Sequence, residues 1–330
     1  MMTRREALVT MAGGCATLLL GSEIKRSRLG IVTYALGIHQ QHAGLSSPLA
    51  FLEECYRLGA GGIQCALGAE APELRRRAEK YGMHVEAIIN PPRDDTDVAR
   101  FEHDVEMAQE SGASVARTVI IPGRRYERFK TLAEFREFEA RGLKSLQLAE
   151  PVVARHKFRL AVENHKDQLI AEKLAMLKHL SSEWIGLCVD VGNNVALMED
   201  PLETARAFAP FAFTIHIKDM AVEEYADGWL LADVALGDGF LDLKAIVEAL
   251  RAAKPDVKFN LETITRDPIK LPVRTDEFWA TLPGERKDLL ARLKTRPAIV
   301  VSKLPVADQL ALERRHVERS IAYAREKLNL

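Results

Sequence analysis

Four short runs in the second half of the chain decide how the rest is read: Arg159-Leu-Ala-Val-Glu163, Ile185-Gly-Leu-Cys-Val-Asp190, Phe213-Thr-Ile-His216 and Lys258-Phe-Asn-Leu-Glu262. Each is largely apolar and has the length of a buried strand, and the first three carry β-branched residues. Each closes on an ionisable side chain. A carboxylate or imidazole at the end of a buried strand is costly unless it has a partner. Four such ends on successive strands can share one. Three carboxylates and one imidazole make a mostly hard-oxygen set, which suits a divalent cation such as Mn2+ or Mg2+ better than a thiolate-preferring metal.

The same strand signal recurs upstream at Leu29–Tyr34, Gly62–Ala66, His84–Ile89 and Ser114–Ile121. Helical segments are expected between the strands, at Pro48–Leu58, Pro72–Tyr81, Asp94–Ser111, Thr131–His156, Gln168–Leu180, Pro201–Phe208 and Leu243–Ala253. Gly59, Gly82 and Gly112 stand where helix stops belong. Eight βα units predict a closed (β/α)8 TIM barrel over residues 26–266, with an open doubly-wound sheet as the alternative. The phosphate-binding pattern GxGxxG is absent after the first strand, where Leu36-Gly-Ile-His39 stands instead. A barrel gathers its chemistry at the C-terminal ends of its strands. Glu163, Asp190, His216 and Glu262 fall there, on the fifth to eighth strands. Residues 267–330 read as a helical C-terminal extension packed on the barrel, with helices at Asp276–Ala280, Gly284–Lys294 and Val306–Leu328. The last is amphipathic and suited to the barrel or to another subunit, so a homo-oligomer through these helices is one expectation. Asp219 to Gly237 reads as a long loop in which Trp229 serves as a lid or a hydrophobic plug.

Composition excludes little but is consistent. The 330 residues are 47% hydrophobic and 28% charged, with a formal net charge of −1. Nothing there favours a nucleic-acid partner. Cys15, Cys55, Cys65 and Cys188 show no zinc-module spacing. Cys65 and Cys188 read as core residues, and a Cys55–Cys65 disulfide is disfavoured. Arg4-Arg5 followed by the apolar stretch Ala7–Leu20 is similar to a twin-arginine export signal over residues 1 to about 25. The stretch is shorter than the about 20 apolar residues of a membrane span. Periplasmic or exported location is therefore expected, without a stable membrane anchor; the alternative is a cytoplasmic protein with an ordinary N-terminal helix.

The segments Glu163-Asn-His, Val189-Asp-Val-Gly-Asn193, His216-Ile-Lys-Asp219, Gly237-Asp-Gly-Phe and Leu261-Glu262 resemble, in that order, the sugar phosphate isomerase/epimerase family of xylose-isomerase-like TIM barrels, over about residues 28–265. The resemblance implies that Glu163, Asp190, His216 and Glu262 bind one divalent metal ion, with Mn2+ expected first and Mg2+, Co2+ or Zn2+ as alternatives. It implies that Glu163 and Glu262 carry protons. The function implied is isomerisation or epimerisation of a sugar or keto-sugar by proton abstraction through a metal-stabilised enediolate. The alternative is a lyase of the same barrel, a keto-glycoside eliminase or inosose dehydratase. The physics agrees: a cation chelating a carbonyl and its neighbouring hydroxyl stabilises the enediolate left by proton abstraction. Two positions that grip free ketohexoses in the family are Leu169 and Val222 here, and a common histidine is Asn193. A ketohexose 3-epimerase is thereby disfavoured.

Substrate contacts are expected from Asn193, Lys218, His165, Tyr34 and Gln64. Arg117, inside the fourth strand, reads as a structural ion pair with a neighbouring strand. Arg124 and Arg125 read as an exposed loop pair, and His39 and His42 as solvated. A DNA-repair nuclease of this fold would need further strand-end histidines and a basic surface. A non-catalytic sugar-binding barrel is the more distant alternative, against which stand the four intact ligand positions.

Overall fold

Each barrel strand is largely buried on both faces, as a parallel sheet covered by helices outside and filled inside requires. The computed structural model describes residues 26–330, so the expected leader lies outside the described residues. Among the described residues eleven strands form: β1 (Gly30–Val32), β2 (Gly62–Cys65), β3 (His84–Ile88), β4 (Val115–Thr118), β5 (Arg159–Glu163), β6 (Ile185–Asp190), β7 (Ala212–Ile217), β8 (Asp219–Tyr225), β9 (Gly228–Val234), β10 (Lys258–Leu261) and β11 (Ile269–Leu271). β1 to β7 run in order around a closed barrel, and β10 closes it between β7 and β1 in parallel register. This is the TIM barrel expected from the strand pattern. The intervening helices begin on caps encoded locally. Ser47 accepts from Ala50 N at 3.1 Å. Thr131 and Glu134 form a reciprocal capping box. Each such cap contributes about 1 kcal/mol.

Register places the polar strand ends. Asp190 lies opposite His216, His216 opposite Asn260, and Glu163 opposite Cys188. Side chains alternate along a strand, so Glu262 follows Asn260 on the same inward face. The other end of the barrel is filled by the His84 ring. A Cβ on Gly30 or Gly62 would come within 2.7 or 2.3 Å of that ring, so both positions need glycine.

Residues 219–237 are not a loop. β8 and β9 pair antiparallel around Ala226-Asp227, and β11 adds to β9. Trp229 is buried in this sheet and donates its indole N–H to Asp288 at 3.0 Å, which makes it a plug and not a lid. The helix expected over Gly284–Lys294 is replaced by a single turn, Leu289–Arg292. Asp288 is engaged by Trp229 and Leu290 is fully buried, so tertiary contacts override the local helical pattern. The helix Val306–Lys327 packs on its own barrel. Its buried Glu313 accepts from Ile38 N at 2.8 Å, His39 N at 2.9 Å and His39 Nδ1 at 2.7 Å. His39 is therefore buried and paired, while His42 is exposed as expected. Arg125 also departs from expectation. It is fully buried, pairs with Glu172 at 2.6 Å and stacks on Phe135. Cys55, Cys65 and Cys188 are free and buried. No helix among the described residues is long and apolar enough to cross a membrane.

Candidate active site

The C-terminal ends of β5, β6 and β7, with the residue after β10, bring Glu163, Asp190, His216 and Glu262 together. One ligand atom from each lies within 4.8 Å of all the others, and all four side chains are buried. His216 Nδ1 is the centre, 3.3 Å from Glu262 Oε1, 3.8 Å from Glu163 Oε2 and 4.0 Å from Asp190 Oδ2.

The imidazole is held from below. Gln64 donates to Glu86 Oε2 at 2.9 Å, which turns its carbonyl oxygen toward His216 Nε2 at 2.7 Å. An amide oxygen only accepts, so Nε2 carries the proton and Nδ1 presents a lone pair to three carboxylates. Nδ1 has no hydrogen-bond partner, and neither has Asp190 Oδ2, although Lys218 Nζ lies 2.7 Å from that oxygen. Burial lowers the His216 imidazole, but Glu262 and the other carboxylates outweigh it and raise its pKa. A positive charge is wanted at Nδ1. Donors around an ion at about 2.1 Å lie roughly 3 to 4 Å apart, and the three distances from His216 Nδ1 to the carboxylates fall in that range. The residues fit a divalent cation, with Gln64 as the outer partner that ligating histidines usually have.

Two cations support the carboxylates. Arg117 forms an ion pair with Glu163 Oε2, so it does pair with the neighbouring strand, and its partner is a site residue. Burial opposes ionisation of Glu163, but Arg117 holds its carboxyl below the usual range. Lys218 bridges Asp190 Oδ2 at 2.7 Å and Glu262 Oε2 at 2.5 Å. Against burial, Lys218 and then His216 hold Glu262 well below the usual range. Burial pushes Asp190 up to about 7, against the pull of Lys218 and with the repulsion of Glu262 and Glu163.

Asn193 donates to Glu163 Oε1 at 2.9 Å, and its oxygen accepts from Lys166 Nζ and from Lys218 Nζ at 3.4 Å. His165 lies close enough to influence Glu163, and its Nδ1 is buried without a partner. Burial lowers the His165 imidazole to about 4, so it is neutral near pH 7. Tyr34 is 38% exposed above this group, with the Arg117 guanidinium 5.7 Å from its ring. Gln64 stands apart from the other expected substrate contacts, because both ends of its amide are taken by Glu86 and His216. Asp219 is structural. It accepts from the backbone of Met220, Gly237, Gly239 and Leu241 and so ties the Gly237-Asp-Gly-Phe turn to β8. Lys166 and Glu86 were not expected from sequence. Neither sits in a recognisable pattern; only the fold brings them inward.

Among curated proteins, the chain is 25% identical over 248 residues to a 3-oxo-isoapionate decarboxylase from Pectobacterium atrosepticum, covering 71% of this chain and 84% of that protein. Among solved structures, an L-ribulose 3-epimerase superposes with a TM-score of 0.58 at 16% identity, covering 92% of this chain and 97% of that one. A 3-keto-D-glucoside 4-epimerase from E. coli gives 0.57 at 16% identity, covering 76% and 95%. The family described as the xylose isomerase-like TIM barrel matches residues 52–294, most of the chain, and the protein belongs to it.

Proposed function

We propose that this protein is a divalent-metal-dependent isomerase or epimerase of a sugar or keto-sugar, which removes and returns a proton beside a carbonyl. The observation that carries this reading is the convergence of three carboxylates on a His216 Nδ1 left bare by Gln64. When bound there, a divalent cation, Mn2+ first, would hold the carbonyl and neighbouring hydroxyl oxygens of the substrate and offset the charge of the enediolate. Glu163 and Glu262 stand three strands apart around the barrel, with Asp190 and His216 between them. One takes the proton and the other returns it. Arg117 and Lys218 keep both glutamates ionised, which a base requires. Asn193, Lys218 and His165 contact the substrate, and Tyr34 guards the rim.

A second reading is a lyase. The curated relative at 25% identity is a decarboxylase of a 3-oxo acid. Loss of CO2 from such an acid leaves the same kind of enolate that proton abstraction gives. Incubating the Mn2+-loaded protein in deuterated buffer with ketoses, 3-keto-glycosides, inososes and 3-oxo-aldonates separates the readings by product mass. Deuterium incorporation without further mass change supports isomerase or epimerase. Loss of water, aglycone or CO2 supports lyase. Metal binding with neither exchange nor turnover on any of them supports a binding protein and overturns both.

We also propose export by the twin-arginine route, on the strength of Arg4-Arg5 and the stretch Ala7–Leu20. Replacing both arginines by lysine should retain the protein in the cytoplasm. Cytoplasmic, uncleaved wild-type protein in fractionated host cells would sink this reading.

A further inference from the structure

Lys166 is a buried ammonium with no carboxylate of its own. Its Nζ donates to Asn193 Oδ1, and among the described residues it makes no ion pair within 4.0 Å. Asp190 and Asp233 act on it only from further away, and Lys218 and Arg266 repel it. The same Asn193 oxygen also receives Lys218, so two ammonium groups crowd one neutral acceptor. Burial and Lys218 lower the Lys166 ammonium to about 8.

The chain goes to some cost to put Lys166 there. Its φ is +56°, left-handed and unusual for a residue with a side chain. The loop that carries it is buried and bound on all sides. Asp167 accepts from His165 N at 3.0 Å and Gln168 N at 2.7 Å, and Lys173 reaches both Asp167 Oδ2 at 3.2 Å and Glu163 O at 3.1 Å. Asn164 fastens the loop to the Asp190 backbone at 2.8 Å. Strain held by this much surrounding structure belongs to functional sites.

Charge counting gives the same direction. Arg117 pairs with Glu163 and Lys218 with both Asp190 and Glu262, and Lys166, which pairs with none of them, brings the buried cations to three against these three carboxylates. Adding a divalent cation leaves the buried site strongly positive. A neutral sugar relieves none of that excess; an anionic substituent does.

We propose that Lys166 docks a carboxylate of the substrate beside the Glu163–Asp190–His216–Glu262 cluster, so that the substrate is a sugar-derived oxo acid and not a neutral ketose. A carboxylate is assigned over a phosphate because Lys166 offers two open N–H donors, whereas phosphates are held by several donors or by helix N-termini. This rests on the reading above only in placing the substrate at that cluster.

The test is equilibrium binding of matched pairs, D-gluconate against D-glucitol and L-threonate against threitol, to the full protein with and without Mn2+. D-glucose 6-phosphate is a third arm. A charge-assisted contact should make the aldonates roughly tenfold or more tighter than their alditols. Lys166→Met should reduce that preference to about threefold or less while Mn2+ affinity stays at the wild-type level, and Lys166→Arg should restore part of it. Equal binding of aldonate and alditol to wild-type protein, or no aldonate binding in either condition, overturns the proposal without needing any variant to fold. So does a preference that survives Lys166→Met, and tighter binding of the sugar phosphate overturns the carboxylate assignment. Failure to bind Mn2+ would instead remove the metal-dependent reading, and the aldonate preference in metal-free protein still decides the role of Lys166.

Discussion

Two polar clusters sit one beyond the other inside this barrel, and both are buried. The inner one, toward the N-terminal end, is His84, Asn260, Thr214, Glu86 and Gln64. Glu86 Oε2 accepts from Gln64 at 2.9 Å, Thr214 at 2.7 Å and Asn260 at 2.9 Å, and Asn260 Oδ1 meets His84 Nε2 at 3.1 Å. None of its fully buried side-chain polar atoms is left unpartnered. The outer cluster is Glu163, Asp190, His216 and Glu262. It leaves His216 Nδ1 without a hydrogen-bond partner and Asp190 Oδ2 with the Lys218 ammonium alone, and His165 Nδ1 beside it is bare as well. Burial and polarity are common to both. What separates them is open valence. A closed network fixes a core, whereas unsatisfied donors and acceptors at a strand-end mouth are what a ligand completes. Gln64 joins the two, since one end of its amide belongs to each.

That contrast can be broken by substitution. The largest effect is expected from Glu163→Gln and Glu262→Gln, which keep shape and one oxygen but remove the base. Turnover should fall by about 10²–10⁴-fold. If one glutamate alone starts the reaction, its variant should also lose exchange of the substrate α-proton with deuterated solvent, followed by mass or NMR. Near-native exchange and turnover in both variants, with metal bound, would refute proton transfer at this cluster. Next, Asp190→Ala should abolish stoichiometric Mn2+ binding in titration calorimetry and elemental analysis. Unchanged stoichiometry and affinity would show that the ion sits elsewhere.

The link between the clusters should matter less than the ligands. Gln64→Leu leaves the His216 Nε2–H unpartnered and frees the ring to change tautomer. Metal affinity should drop by about 10–100-fold, as for other outer partners of ligating histidines. Nitrogen NMR of metal-free protein should report the altered tautomer; an unmoved His216 signal would mean that Gln64 does not set it. The smallest effect on the site is expected from Glu86→Leu. It strands three donors and should cost about 1–3 kcal/mol of stability in denaturant titration, while Mn2+ affinity shifts less than in Gln64→Leu. If Glu86→Leu removed metal binding as completely as Asp190→Ala, the two clusters would act as one unit and the distinction drawn between them would fail.

Much of this was legible before folding was considered. Runs such as Arg159–Glu163 and Ile185–Asp190 carry their strand signal and their polar end in a few consecutive residues, and a parallel barrel puts all such ends on one face. Eight of these units and their glycine stops therefore give the fold and the four clustered side chains together. The hairpin β8–β9 was not legible in this way: 219–237 reads as a loop because its runs lack strict alternation, and the chain turns at Ala226-Asp227 with Gly228 already paired to Tyr225. Gly284–Lys294 misleads because its charged, helix-favouring pattern is local, while the burial of Leu290 and the Trp229–Asp288 contact that override it are not. Arg125 and His39 look like surface residues in sequence, and only long-range partners, Glu172 and Glu313, bring them inside. The direction of Lys166 depends on one left-handed φ, the tautomer of His216 on an amide 152 residues away, and the ion pair of Glu163 on a neighbouring strand. Hydrophobic period and strand ends are properties of adjacent residues and survive in one dimension. Charge balance, hydrogen-bond valence and side-chain aim are sums over neighbours in space, and they exist only once the barrel has closed.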